Sequence, residues 1–148
     1  MGRSWVRATA LAMVATAFLG CADTATEPLQ TEPLHKDVAA ARSVWLASHP
    51  QAYRFDVATS SSWFPSRGYY HVQVSNGQVV AATDPSGNAV GGFTLTIDTI
   101  WDELLAARAS GQLNSAEFDE LGVPLESDMG PWPVDGGVHH SVRNFVPG

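Results

Sequence analysis

The chain has 148 residues, the usual length of a single domain. Its residues are 45% hydrophobic and 16% charged, a globular composition that excludes an intrinsically disordered chain and a membrane-spanning one. The formal net charge of −7 argues against binding to nucleic acid or electrostatic docking on anionic lipid, because both need an excess of Lys and Arg.

The first residues form a segment that is separate from the rest. Arg3 and Arg7 give it a basic start, residues 8–20 are an apolar run, and Cys21 ends it. An apolar run of about 13 residues is too short to cross a bilayer as a helix and is typical of the core of a secretory signal. We therefore predict a signal peptide over residues 1–20.

The end of this segment, Phe18-Leu19-Gly20-Cys21, resembles the bacterial lipoprotein box, although Phe18 replaces the usual Leu. In that box a small residue precedes a Cys that is lipidated and becomes the new N-terminus. The alternative is an ordinary signal peptide with an accidental Cys. Because Cys21 is the only Cys, no disulfide within the chain explains it. We predict lipidation at Cys21 and a lipid-anchored location in the bacterial cell envelope, on the periplasmic side of either membrane or at the cell surface.

The segment after Cys21 predicts a flexible tether over residues 21–33, since it is rich in Thr, Glu and Pro and has no periodicity. A single domain is then predicted over residues 34–148. It opens with a helix, because apolar residues align on one face until Pro50 ends the helix near Ser48. These aligned residues are Leu34, Val38, Ala41 and Trp45.

Three strands are predicted next. Residues 52–58 alternate between apolar and polar side chains, which is typical of a half-buried strand. Residues 69–75 and 78–83 flank Asn76-Gly77, the strongest short-range signal for a hairpin.

The central helix is predicted from one apolar stripe with the period of an α-helix. The stripe consists of Ile97, Ile100, Trp101, Leu104 and Leu105. Side-chain oxygens before it suit a helix start, and Gly111 after it suits a left-handed cap. We predict a helix over about residues 98–109, with Trp101 in the core.

Three further strands follow, over residues 115–119, 125–129 and 138–146, with a long Gly- and Pro-rich loop before the last one. The predicted order is therefore helix, three strands, helix, three strands. This order predicts an α+β fold of two αβββ units, an internal duplication that forms an antiparallel sheet with the helices packed on one face.

Short motifs along the domain resemble those of one family. They are Trp45, Tyr53-Arg54-Phe55, 72–80 (VQVSNGQVV), 96–101 (TIDTIW) and 118–124 (FDELGVP). The pattern is similar to that of the bacterial lipoproteins classed as domain of unknown function 6174, and it covers about residues 38–146. The resemblance implies an envelope location and a fold. It implies no chemistry, because the family has no assigned activity.

The chain departs from the family pattern in two places. Many members have a Cys pair in the first hairpin loop, where this chain has Ser60-Ser61-Ser62, so the resemblance implies no disulfide or metal role there. Phe118 and Val123 stand where the family tends to have Tyr and another aromatic residue.

Two clusters of polar residues suggest metal chemistry. His139 and His140 are adjacent, and neighbours on a strand point to opposite faces, so the two rings do not share one metal even if His71, His49 or Asp128 joins one of them. Carboxylates bracket the Gly-Val-Pro turn, either as a calcium or cationic-ligand site or as the solvated face of two strands. These carboxylates are Glu117, Asp119, Glu120, Glu126 and Asp128. Without the spacing of a known metal motif we favour surface residues and predict no metal.

No motif for a catalytic nucleophile, a phosphate loop or a dinucleotide is present, so we predict no catalytic residue and no cofactor. The sequence favours a non-catalytic binding or structural module, anchored to the membrane through Cys21, that binds an unknown protein or small ligand and no nucleic acid. The predicted ligand-binding residues are Trp63, Phe64, Tyr69 and Trp132. The alternative is a small hydrolase or metal-dependent enzyme that uses His71, His139 or His140 with acidic residues.

Overall fold

The computed structural model describes residues 31–61, 64–131 and 136–148, and for residues 31–36 it describes the backbone alone. The elements are helix α1 (Thr31–Ser48), strands β1 (Ala52–Ser61), β2 (Tyr70–Ser75) and β3 (Gln78–Thr83), helix α2 (Ile97–Ala109), and strands β4 (Leu113–Phe118), β5 (Pro124–Met129) and β6 (Val138–Pro147). The signal peptide, Cys21 and most of the tether lie outside the described residues. Within the described ranges, no helix is both long enough and apolar enough to cross a membrane.

Helix α1 begins at Thr31, before the predicted start at Leu34. Pro33 lies in its first turn, where a missing N–H group costs nothing because that group would have no partner within the helix. The last residues assigned to the tether are therefore helical.

The six strands form one antiparallel sheet in the order β3-β2-β1-β6-β5-β4. Strands β1 and β6 are the longest, with 10 residues each, and they pair at the centre of the sheet. The fold is thus mostly β, one sheet with two helices, in which the first and last strands hold the two halves together.

The predicted α+β fold of two αβββ units is wrong, because the fold is mostly β and its halves do not repeat one unit. The second half repeats the lateral order of the first, yet each of its strands runs opposite to its counterpart because all neighbours are antiparallel. If the halves were copies of one unit, a half-turn about an axis across the strands would superpose them. Such a rotation keeps the lateral order of the strands and reverses their direction, and it also exchanges the two faces of the sheet. It would place α1 and α2 on opposite faces, whereas both helices pack into one core on the same face. The halves are therefore not related as a duplicated unit.

The core lies between the two helices and the face of the sheet that they cover, which we call the helix face. Trp45 of α1 and Trp101 of α2 are both 0% exposed, which agrees with the predicted helix faces. Alternate residues of β1 and β2 pack against them, as the period of a strand requires. These residues are Tyr53, Phe55, Val57, Val72 and Val74.

Two local signals in the sequence have the predicted conformation. Asn76 and Gly77 have φ values of 52° and 73°, the left-handed pair of a tight hairpin turn between β2 and β3. The Thr96 side chain accepts a hydrogen bond from the backbone N–H of Thr99, and the Thr99 hydroxyl accepts one from the backbone N–H of Thr96. This capping box fixes the start of α2.

Residues 118–124, the last of the motifs shared with the family, form a turn that packs against α1. The carboxylate of Asp119 accepts hydrogen bonds from the backbone N–H groups of Leu121 and Val123, at 2.9 and 2.8 Å. The carbonyl oxygen of Gly122 accepts a bond of 3.2 Å from the indole nitrogen of Trp101. Asp119 therefore has a structural role in this turn.

Candidate functional site

The three histidines of the alternative enzyme hypothesis, His71, His139 and His140, lie on two different faces of the sheet. His139 and His140 point to opposite faces, as predicted for neighbours on a strand. His140 lies on the helix face, beside the core residue Val142. His71 of β2 pairs with Asp56 and lies with His139 on the other face, which we call the open face. The three rings therefore do not converge.

His140 is a buried polar residue of the helix face. It is 3% exposed, and both of its ring nitrogens have a partner. Nε2 lies 2.8 Å from Oε2 of Glu103 on α2, and Nδ1 lies 2.9 Å from the hydroxyl of Thr59 on β1. A carboxylate only accepts hydrogen bonds, so Nε2 carries a hydrogen. When the ring carries this one hydrogen alone, Nδ1 accepts from the Thr59 hydroxyl. Glu103 and Thr59 thus fix the tautomer of His140 and tie α2 to the sheet.

These three residues lie in a groove of about 780 Å³ between α2 and the ends of β1, β5 and β6. Most of the other lining side chains are apolar. They are Leu95, Ala106, Ala107, Met129 and Val138. An apolar concavity with a few convergent polar groups is the usual form of a small-molecule site. We call it the His140 groove.

The aromatic loops predicted to bind ligand start at the same end of the sheet as the His140 groove. The loop with Trp63 and Phe64 leaves β1 at Ser61, which pairs with the groove residue Val138. Trp132 precedes Val138 by six positions in the chain. Phe64 is 74% exposed, whereas Trp63 and Trp132 lie outside the described residues.

Tyr69 lies elsewhere, on the open face. Its hydroxyl is 2.8 Å from the hydroxyl of Ser141, and the guanidinium of Arg143 lies 3.5 Å from the centre of its ring. Ser141 donates a bond of 2.6 Å to Glu126, whose other oxygen is 3.0 Å from Nε2 of His139. Tyr69 therefore belongs to a polar network that faces away from the His140 groove.

Asp56 is the buried carboxylate of the open face. It lies between β2 and β6, where Oδ1 is 2.6 Å from Nδ1 of His71 and Oδ2 accepts a bond of 2.7 Å from the Asn144 amide. Asn144 has a φ of 52° and is the extra residue of a bulge in β6, which turns its side chain to Asp56. Burial alone would raise the pKa of Asp56. The bonds from Asn144 and His71, with the charges of His71 and Arg143, outweigh it and lower this pKa below 3.8.

The carboxylates near the Gly-Val-Pro turn are divided between the open face and the turn itself. Glu117, Glu126 and Asp128 belong to the open face of β4 and β5 by their register, whereas Asp119 holds the turn. In the part of the chain that the structure describes, no three His, Cys, Asp or Glu side chains are grouped as metal ligands would be.

Sequence reasoning missed Thr59 and Glu103. One signal for a buried polar cluster was present: His140 alternates with Val138 and Val142 and therefore occupies a core position of β6. A histidine at a core position needs a hydrogen-bond partner. Glu103 itself had no such signal, because its approach to β6 depends on how α2 crosses the sheet.

The comparisons with known proteins bear on this fold and its motifs. No curated protein and no solved structure matches the chain. One family model, described as a family of unknown function (DUF6174), matches residues 37–147. This span runs from the first turns of α1 to the end of β6 and includes Trp45, Asp98, Trp101 and Gly122, whose contacts hold the helices and the turn together. The chain therefore belongs to the family of unknown function DUF6174.

Proposed function

We propose that this protein is a lipid-anchored protein of the bacterial cell envelope whose His140 groove binds a small ligand with an apolar body. The observation that carries the proposal is the buried His140, held by Glu103 and Thr59 at the wall of a mostly apolar concavity. A satisfied polar cluster beside apolar surface can orient a ligand while the surface supplies most of the affinity.

The proposed anchor is Cys21. Its support is the basic start, the apolar run and the Gly-Cys junction, which together are typical of an exported lipoprotein. Without residues 1–20 the chain has a formal charge of −9, since Arg3 and Arg7 are removed, and such a charge does not attract anionic lipid. Acyl chains on Cys21 would therefore supply the membrane attachment.

Neutral ligands of graded length test the groove without any assumption about the natural ligand. We would titrate the purified protein with n-alkanols from hexanol to decanol by calorimetry. Each added methylene should strengthen binding by up to about 0.8 kcal/mol until the groove is full.

A matched pair of variants shows where the alkanols bind. Ala106 and Ala109 are both exposed on α2, but only Ala106 lines the groove. Ala106→Trp should fill the groove and abolish binding, whereas Ala109→Trp should leave it unchanged. Equal affinities in the two variants, or no alkanol binding to the unmodified protein, would reject the proposal.

A second candidate function, hydrolysis, is favoured by one observation. Thr59, His140 and Glu103 form a line of hydroxyl, imidazole and carboxylate, the order of nucleophile, base and orienting acid in many hydrolases. His71 and His139 have no part in it, because they lie on the open face. If this function holds, the protein cleaves short-chain p-nitrophenyl esters and Thr59→Val removes the activity without loss of alkanol binding. Equal rates for the protein and the variant would exclude it.

A further inference from the structure

We propose that the His140 groove selects ligands with a cationic head, such as an alkylammonium ion, over neutral or anionic ligands of the same length. This inference rests on the proposed function of the groove. It concerns the charge of the ligand, which the apolar lining alone does not determine.

Glu103 sets the charge of the groove. Among the described residues of the lining it is the only acidic one, and none of them is Lys or Arg. Its side chain is 49% exposed, and Oε2 accepts the bond from His140. None of the described residues donates a hydrogen bond to Oε1. Oε1 of Glu103 is therefore available to accept a hydrogen bond from a ligand in the groove.

The other polar groups of the groove offer few donors to an anion. The Nε2–H of His140 is bonded to Glu103, and the Thr59 hydroxyl is bonded to Nδ1 of His140, so neither group is free for an anion. The Ser110 hydroxyl donates to the carbonyl oxygens of Ala106 and Ala107. The amide of Gln112 both donates and accepts, so it does not discriminate by charge.

A carboxylate beside apolar surface favours a cation over an anion for two reasons. An anion bound next to Glu103 would meet repulsion that is stronger than in water, because the apolar lining lowers the local dielectric constant. An ammonium ion gains both attraction and a charge-assisted hydrogen bond to Oε1. A ligand with an apolar chain and an ammonium head satisfies both parts of the groove.

The test compares three probes with the same chain: decylammonium, decanol and decyl sulfate, each below its micelle concentration. The unmodified protein should bind decylammonium about tenfold more tightly than decanol, and decyl sulfate more weakly than decanol. Glu103→Gln keeps an acceptor for His140 but removes the charge, so decylammonium should then bind no more tightly than decanol.

The matched control is Asp102→Asn. Asp102 is an exposed carboxylate next to Glu103 in sequence, and it does not line the groove. This variant loses the same charge from the same helix and should keep the tenfold preference. A preference that disappears equally in both variants would show attraction to the acidic protein as a whole and overturn the inference.

The possible outcomes separate this inference from the proposed function on which it rests. Equal binding of all three probes in the groove would reject the charge preference and leave the groove as a binding site. If none of the probes binds, both proposals fail.

Discussion

The indole nitrogen of Trp45 donates a hydrogen bond of 2.9 Å to Oδ1 of Asp98, and this bond joins α1 to the first turn of α2. His49 approaches the same carboxylate at 3.1 Å, and Arg42 lies 3.9 Å from it. Asp98 also lies at the helix end where negative charge is favoured. The Trp and Asp of the family motifs are thus partners across the two helices.

Asp98→Ala is predicted to destabilise the domain by about 1.5–3 kcal/mol, because the buried indole N–H of Trp45 loses a charged acceptor. Asp98→Asn retains an acceptor oxygen and should cost less than about 1 kcal/mol. Chemical denaturation measures both values. Equal losses in the two variants would show that the charge matters and the bond to Trp45 does not.

Gly122→Ala is predicted to be strongly destabilising. Gly122 has a φ of 74°, and an added methyl group would overlap the carbonyl oxygen of Ala41 and lie 2.7 Å from the backbone nitrogen of Trp45. Left-handed strain of about 1–2 kcal/mol and overpacking of about 1–3 kcal/mol should act together. Thermal or urea unfolding reports the loss.

The control for Gly122 is Gly111→Ala. Gly111 has nearly the same φ of 71°, but no atom of the described residues beyond its chain neighbours lies within 4 Å of the added methyl group. It should therefore show the left-handed strain alone. If both variants lose the same stability, Gly122 is required for its backbone conformation and not for its close contact with α1.

The local elements of this fold were predictable from the sequence. The apolar stripe through Ile97 and Trp101 predicted α2, and Asn76-Gly77 predicted the first hairpin, because each signal acts between residues close in the chain. The pairing of β1 with β6 joins the two ends of the domain, and no local pattern encodes it. The order of the elements was therefore predictable, while the inferred duplication was wrong.

The candidate site was predictable to a smaller extent. Strand alternation correctly separated His139 from His140, which argued against a shared metal. The partnership of His140 with Glu103 depends on the packing of α2 across β6, and the sequence does not specify that geometry. The aromatic loops were chosen by composition alone, and one of their predicted residues, Tyr69, faces away from the His140 groove.

Asp56 predicts a pH dependence of stability on the acid side. Its pKa in the folded protein is below the usual 3.8, so its stabilising contribution is present above that value and is lost as the pH falls through the lower, folded pKa. Asp56→Asn should lower the free energy of unfolding at pH 5 by about 1–3 kcal/mol. This difference should shrink towards pH 2. Urea denaturation at several pH values measures it, and a difference that is constant from pH 5 to pH 2 would contradict the prediction.

Cys21→Ser is predicted to release the protein from membranes. The proposed membrane attachment depends on acyl chains on Cys21, and the formal charge of −9 after removal of residues 1–20 does not favour anionic lipid. Fractionation after a high-salt wash should find the unmodified protein in the pellet and the variant in the soluble fraction. A variant that stays in the pellet would show that something other than the lipid holds it.

The most direct test of the proposed function is an NMR titration of the isotope-labelled protein with n-octanol. The account predicts progressive shifts of the backbone amides of Ala106, Ala107 and Val138, which line the His140 groove, and no shift at His71 or Asn144 on the open face. Shifts confined to the open face, or no shift at saturating octanol, would contradict it.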